Sequence, residues 1–229
     1  MVNLESFQQL YQRACERKGG PQALESLLNT PLSADELAQI TDDRFLAEFS
    51  KKVFQSGFVW AVVRNKWPNF ERLFFNFDVT KVLLMSDEML EKRAQDPDII
   101  RNFNKVKTIR ENALMIADVQ AEHGSFSAFV ARWPSDDIIG LWAYLKKHGG
   151  RLGGNTGAYS LRAIGKDTPV LSQDVCAYFS QRDVISGGVN SKRSLRALQD
   201  AFNQFQQQSG RPLAQISQII AYSVGDNHQ

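Results

Sequence analysis

An all-α fold is predicted by three features of this chain. Apolar residues recur at three- and four-residue spacing along most of its length, sustained two-residue alternation is absent, and serine caps and glycine stops punctuate the sequence at short intervals. The 229 residues suffice to bury a substantial core, and a 43% hydrophobic content with 15 phenylalanines supplies the material for it. Ten or more short helices are expected.

The elements follow in order. Phe7, Leu10, Tyr11 and Ala14 form the apolar stripe of a first helix, which "KGG" stops. Pro21 opens a second through Leu24, Leu27 and Leu28. Ser33 with Glu36 three residues later is the pattern of a capping box and announces a third. In "TDDRFLAEFSKKVFQSGFVWAVVRNKWPNFERLFFNF", Phe45, Phe49 and Val53 share one stripe, while Glu48 and Lys52 lie one turn apart on another. Gly57 interrupts that run, and Pro68 is expected to open a helix carrying Phe70, Leu73 and Phe74. Ser86 caps "SDEMLEKRAQ", and a longer helix runs through Val106, Ile109, Ala113 and Ile116 to Gly124. "SFSAFVARW" and "DDIIGLWAYLKKHGG" follow, the second with lysines near its C-terminus. "TGAYSLRAIG", "SQDVCAYFSQR", "SKRSLRALQDAFNQFQQQSG" and "LAQISQIIAYSVG" complete the series.

The formal charge is only +2, so any nucleic-acid surface must come from local placement of charge. Two distant cysteines, Cys15 and Cys176, fit a reducing compartment better than a disulfide scaffold. The first helix lacks the apolar core of a signal peptide and no later run approaches a membrane span, so a cytoplasmic protein without a membrane partner is expected.

One stretch points beyond packing. In "KKHGGRLGGNTGAYSLRAIG" a helix stops, the chain turns on glycines, and a new helix starts. Two readings are open: an economical connection, or a backbone cradle for a DNA phosphate. In the second, Gly153, Gly154, Thr156 and Gly157 offer N–H donors and Lys146, Lys147 and Arg151 add charge. Lys105 and Lys107 of "NKVK" supply an adjoining basic surface or are ordinary solvated charges.

The segment "VFQSGFVWAVVRNKWPNFERLFFNFDVTKVLLMSDEMLEKRAQDPDIIRNFNKVKTIRENA", with the glycine hairpin, resembles the 3-methyladenine DNA glycosylase I family within the helix-hairpin-helix DNA glycosylase superfamily. The likeness runs from about Phe45 to Ala121 and through much of the C-terminal half. It implies a helix-hairpin-helix glycosylase-like fold with two closely packed helical lobes, divided as a divergent N-terminal region at 1–44, a base-pocket core at 45–145 and a hairpin and C-terminal region at 146–229. It also implies a monofunctional DNA repair N-glycosylase that flips an alkylated adenine, 3-methyladenine above all, from double-stranded DNA and hydrolyses its N-glycosidic bond. A monomer is expected. The alternative is a non-catalytic damaged-DNA-binding protein with the same fold.

Trp60 corresponds to the family tryptophan that lines the lesion pocket, where an aromatic face stacks on the extruded base. Phe54 and Phe58 are neighbouring pocket candidates. The sequence departs from the family in three places. Lys52 stands where the family has a glutamate eight residues before that tryptophan, with Glu48 one turn earlier as the nearest carboxylate. The family's zinc site draws two cysteines and two histidines from both ends of the chain; Cys15, Cys176, His123, His148 and His228 offer no such arrangement, and no metal or other cofactor is expected. The N-terminal signature with a tyrosine, histidine and tryptophan is absent. An ungapped comparison also places Ser172 at the position of the superfamily's catalytic aspartate. Asp174, two residues on, is the candidate catalytic group, its other reading being a first-turn acid behind a Ser172 N-cap.

Overall fold

The serines singled out as caps act as caps. Ser33 accepts from the Glu36 N–H while the Glu36 carboxylate receives the Ser33 N–H, and the Ser86 and Ser172 hydroxyls accept from Met89 and Val175. The computed structural model describes residues 4–224, and fourteen α-helices with two short 3-10 turns account for the regular structure among them; no strand occurs there. None of the described helices is long and apolar enough to cross a membrane.

By contact the chain falls into two compact units, each assembled from separated stretches. The first takes the chain up to Leu32, Pro134–Ile139 and the described residues from Asp167 on. It contains α1 (Phe7–Lys18), α2 (Pro21–Ser26), α12 (Gln173–Ser180), α13 (Lys192–Ser209) and α14 (Leu213–Val224). α1 packs on α14 and α13, α2 packs on α1, and carboxylates fasten this N-terminal stretch. Glu5 accepts a two-pronged bond from Arg13, and also bonds from the Tyr178 hydroxyl and Arg182, so those partners, Arg13 foremost, hold its carboxyl below the usual range. Asp167 receives the Leu213 and Ala214 N–H groups and so caps the start of α14.

The second unit, Ser33–Trp133 with Gly140–Lys166, holds α3 (Ala34–Ala38), α4 (Asp42–Gln55), α5 (Trp60–Leu73), α6 (Val79–Leu83), α7 (Asp87–Ala94), α8 (Phe103–His123), α9 (Phe126–Arg132), most of α10 (Ile138–His148), and α11 (Asn155–Ile164). Its phenylalanines make the core. Phe126 meets Phe45 and Phe49 edge-on at 5.4 and 5.7 Å, and Phe54 lies against Phe70 at 4.6 Å. Each fully buried ring contributes about 1.5–3 kcal/mol through the surface it removes from water. The α8 helix packs against α4, α6, α7 and α9 and is buried along most of its length. Asp42, at the head of α4, accepts from the Phe126 and Ser127 N–H groups and ties α4 to α9.

One element differs from its sequence reading. Pro68 does not open a helix; α5 starts at Trp60 and carries Pro68 inside it. The ring's fixed φ suits the helix, the missing N–H costs one bond, and the buried stripe Val63, Trp67 and Phe70 holds the two halves in line. The helix ends in an unusual turn, with Phe75, Asn76 and Phe77 all at positive φ and Arg44 donating to the Asn76 carbonyl.

Candidate functional site

The site in the second unit is built on two turns and one helix. The first turn joins α4 to α5. Gly57, at φ +117°, lets the chain reverse where a side chain would be strained, and α5 then begins with Val59 and Trp60, 70% and 48% exposed. An indole this exposed at a helix start is available to a ligand. The Tyr159 ring of α11 stands edge-on to it at 6.3 Å, and the Lys52 ammonium of α4 sits over it, 5.4 Å from the ring centroid. Glu48 accepts from Lys52 at 3.3 Å and lies 4.0 Å from Lys51, so one carboxylate is shared by two ammonium groups.

The second turn is the glycine hairpin between α10 and α11. Several of its glycines are required by their surroundings. A Cβ on Gly157 would lie 2.6 Å from the Leu152 carbonyl, and one on Gly149 would lie 2.8 Å from that of Leu145. Gly154 has open space around it but adopts φ +59° and ψ −139°, a region essentially closed to other residues. Gly154 also starts α11 without any side-chain cap. Lys146, Lys147 and Arg151 are exposed around this turn, and the Lys146 stem lies against Gly153.

Both turns are anchored to α8. The Lys105 ammonium, in a residue only 5% exposed, donates to the carbonyls of Val53, Phe54 and Ser56 at 2.7, 3.3 and 2.8 Å. It thereby satisfies the C-terminal carbonyls of α4, and it lies 4.7 Å from the Phe58 ring centroid. Burial, and then the neighbouring Arg151 charge, push this amine below its usual range. Two turns further along α8, the fully buried Asn112 holds Gly150 at both ends, accepting from its N–H at 2.7 Å and donating to its carbonyl at 3.2 Å.

The expected site residues separate accordingly. Trp60, Lys52, Glu48 and Phe58 gather at the first turn, and Gly153, Gly154, Thr156 and Gly157 form the second with Lys146, Lys147 and Arg151 around it. Lys107 is exposed on α8. Lys105 is corrected: its charge is committed to backbone carbonyls inside the fold rather than to phosphate. Phe54 is corrected too, since it is fully buried in the core against Phe70. Asp174 belongs to the other unit, half-buried in the first turn of α12 behind the Ser172 cap. Sequence reasoning missed Asn112 and Tyr159. The signal for Asn112 was a polar set at Lys105, Thr108 and Asn112, at helical spacing beside the apolar stripe; nothing local marked Tyr159.

Cys15 is a buried thiol of α1, the Cys176 thiol donates to the Leu171 carbonyl, and no cluster of three metal-binding side chains occurs among the described residues; His228 lies outside them.

Comparison with known proteins gives the following. Residues 38–149 match the methyladenine glycosylase family model. The chain is 34% identical over 89 residues to DNA-3-methyladenine glycosylase 1 of Escherichia coli (strain K12), a match covering 35% of this chain and about half, 48%, of that protein. A crystal structure of a 3-methyladenine DNA glycosylase I is 23% identical over 63% of this chain and 86% of its own, with a TM-score of 0.48. The Staphylococcus aureus 3-methyladenine DNA glycosylase I aligns over 68% of this chain and 91% of its own at 18% identity and a TM-score of 0.50, a likeness of fold.

Proposed function

From a chain homologous to the 3-methyladenine DNA glycosylase I family, we propose a DNA N-glycosylase that flips an alkylated adenine, 3-methyladenine foremost, out of duplex DNA and hydrolyses its N-glycosidic bond. The observation that carries this reading is the pairing, in one unit, of the exposed Trp60 with a glycine hairpin that starts a helix uncapped.

Each part has a physical role. Trp60, with Phe58 beside it, gives the extruded base an aromatic surface that offsets lost stacking. Gly153, Gly154, Thr156 and Gly157 bring backbone N–H groups to a phosphate, with Lys146, Lys147, Arg151 and Lys107 adding charge that carries no sequence information. Asp174 is the catalytic carboxylate of the proposal, stabilising positive charge as it grows on the deoxyribose C1′ and orienting a water. The bond from C1′ to the base breaks with its electron pair on the base, and the water oxygen bonds to C1′. N3-methylation makes the base a cation in the duplex, so it leaves neutral and the water's second proton passes to solvent. The protein acts as a cytoplasmic monomer.

Bases released from methylated duplex DNA, separated chromatographically, test this with Asp174→Asn in parallel. Release of 3-methyladenine that is lost in the folded, DNA-binding variant supports the whole reading; release that survives moves the chemistry off Asp174. Selective binding without release supports the second reading, a non-catalytic damage-recognition protein, which the ordinary capping environment of Asp174 favours.

A further inference from the structure

One face of the Trp60 indole already carries a cation. Aromatic faces attract positive charge, and an indole attracts it most strongly. Here that attraction is taken by the Lys52 ammonium, 5.4 Å from the ring centroid. Glu48 does not cancel it, because this carboxylate lies within 4.0 Å of both Lys51 and Lys52 and the group keeps a net positive charge. The side chains of Lys52 and Glu48 are only 15% and 19% exposed, so water screens the charges weakly. A base edge brought to this side of the indole therefore meets a positive field and a hydrogen-bond donor.

Resting on the glycosylase reading above, we propose that Lys52 is a specificity-determining residue that opens the site to uncharged alkylated adenines. A cationic lesion still stacks on the ring, but it gains less beside a face that a cation already holds and meets some repulsion at close range. An uncharged adduct such as 1,N6-ethenoadenine escapes that repulsion and offers ring nitrogens that accept from the ammonium. The hydrolysis balances with water alone: its oxygen bonds to C1′, the electron pair of the broken bond goes to the base, and the departing base takes up a proton. Lys52 hydrogen-bonds the base during this step and favours the charge it gains.

Two probes test it under single-turnover conditions: a duplex with one 1,N6-ethenoadenine, and methylated duplex DNA scored for released 3-methyladenine. The native protein is expected to release both. Lys52→Gln should raise the rate ratio of 3-methyladenine to ethenoadenine about tenfold, as expected for removing one unit charge a few ångströms from a partly buried base. Lys52→Glu should raise it further. Glu48→Gln, which strips the positive group of its counter-charge, should lower it. A role confined to packing would slow both substrates alike and leave the ratio unmoved, so an unmoved ratio in all three variants overturns the proposal. Release of 3-methyladenine without ethenoadenine by the native protein also overturns it and leaves the glycosylase reading standing. Release of neither, with no preference for either lesion in binding, removes both.

Discussion

The α4–α5 turn and the α10–α11 hairpin rest on the same helix and are held by opposite means. Lys105 fastens the first with a buried charge, its ammonium donating to three carbonyls at the end of α4. Asn112 fastens the second with a neutral amide, pairing both backbone groups of Gly150. The charge suits a helix C-terminus, whose unpaired carbonyls present partial negative charge. The amide suits a turn with one donor and one acceptor to satisfy, and it adds no charge beside the start of α11. The difference teaches that a lysine in a basic protein segment is not thereby a nucleic-acid contact; a helix end is a competing partner.

If this contrast is right, the largest effect belongs to Lys105→Met. It removes the ammonium bond from three carbonyls, of which Val53 keeps a donor in the Ser56 hydroxyl, and the cost should be about 3 kcal/mol, read as a shift in urea midpoint at unchanged slope. A loss below about 1 kcal/mol would show that water replaces the ammonium and that the charged clamp is dispensable. Asn112→Leu should cost about 2 kcal/mol by stranding the Gly150 N–H and carbonyl, and it should weaken DNA binding as the hairpin loosens. If DNA binding is untouched, the hairpin is a connection only.

Glycine substitutions sharpen the contrast inside the hairpin. Gly157→Ala places a Cβ against the Leu152 carbonyl and should cost about 1–3 kcal/mol by overpacking. Gly154→Ala meets no neighbour, so its cost of about 1–2 kcal/mol comes from backbone strain alone. Equal losses at both would mean that sterics and strain cannot be separated there.

The smallest effect is in pH. Because the folded state holds the Lys105 amine below its unfolded value near 10.5, the unfolded chain binds more protons in the window between the two. This lysine's share of stability should therefore rise with pH across that window. Urea midpoints followed upward from pH 8 test the sign, with Lys105→Met lacking the increment. The neutral Asn112 clamp contributes nothing of the kind.

Much of this molecule was readable residue by residue. The caps at Ser33, Ser86 and Ser172 depend on a hydroxyl and an N–H three residues away, and they form where expected. The hairpin was legible because glycines in series between two apolar periodicities leave a turn as the simplest outcome. Pro68 was misread because its local preference for a helix start was outweighed by the buried stripe continuing on both sides of it. Phe54 and Phe58 look alike in sequence, yet only the first is in the core.

Helix positions, caps and turns were determined by the sequence itself, since each rests on interactions spanning three or four residues. The fate of the individual polar groups was decided by tertiary structure. Lys105 finds its carbonyls about fifty positions away, Asn112 finds Gly150 38 positions away, and Lys52 finds its indole only because the chain reverses at Gly57. A charge in water and a charge in a cage of carbonyls have the same spelling, and desolvation and available partners decide between them only once the helices have packed.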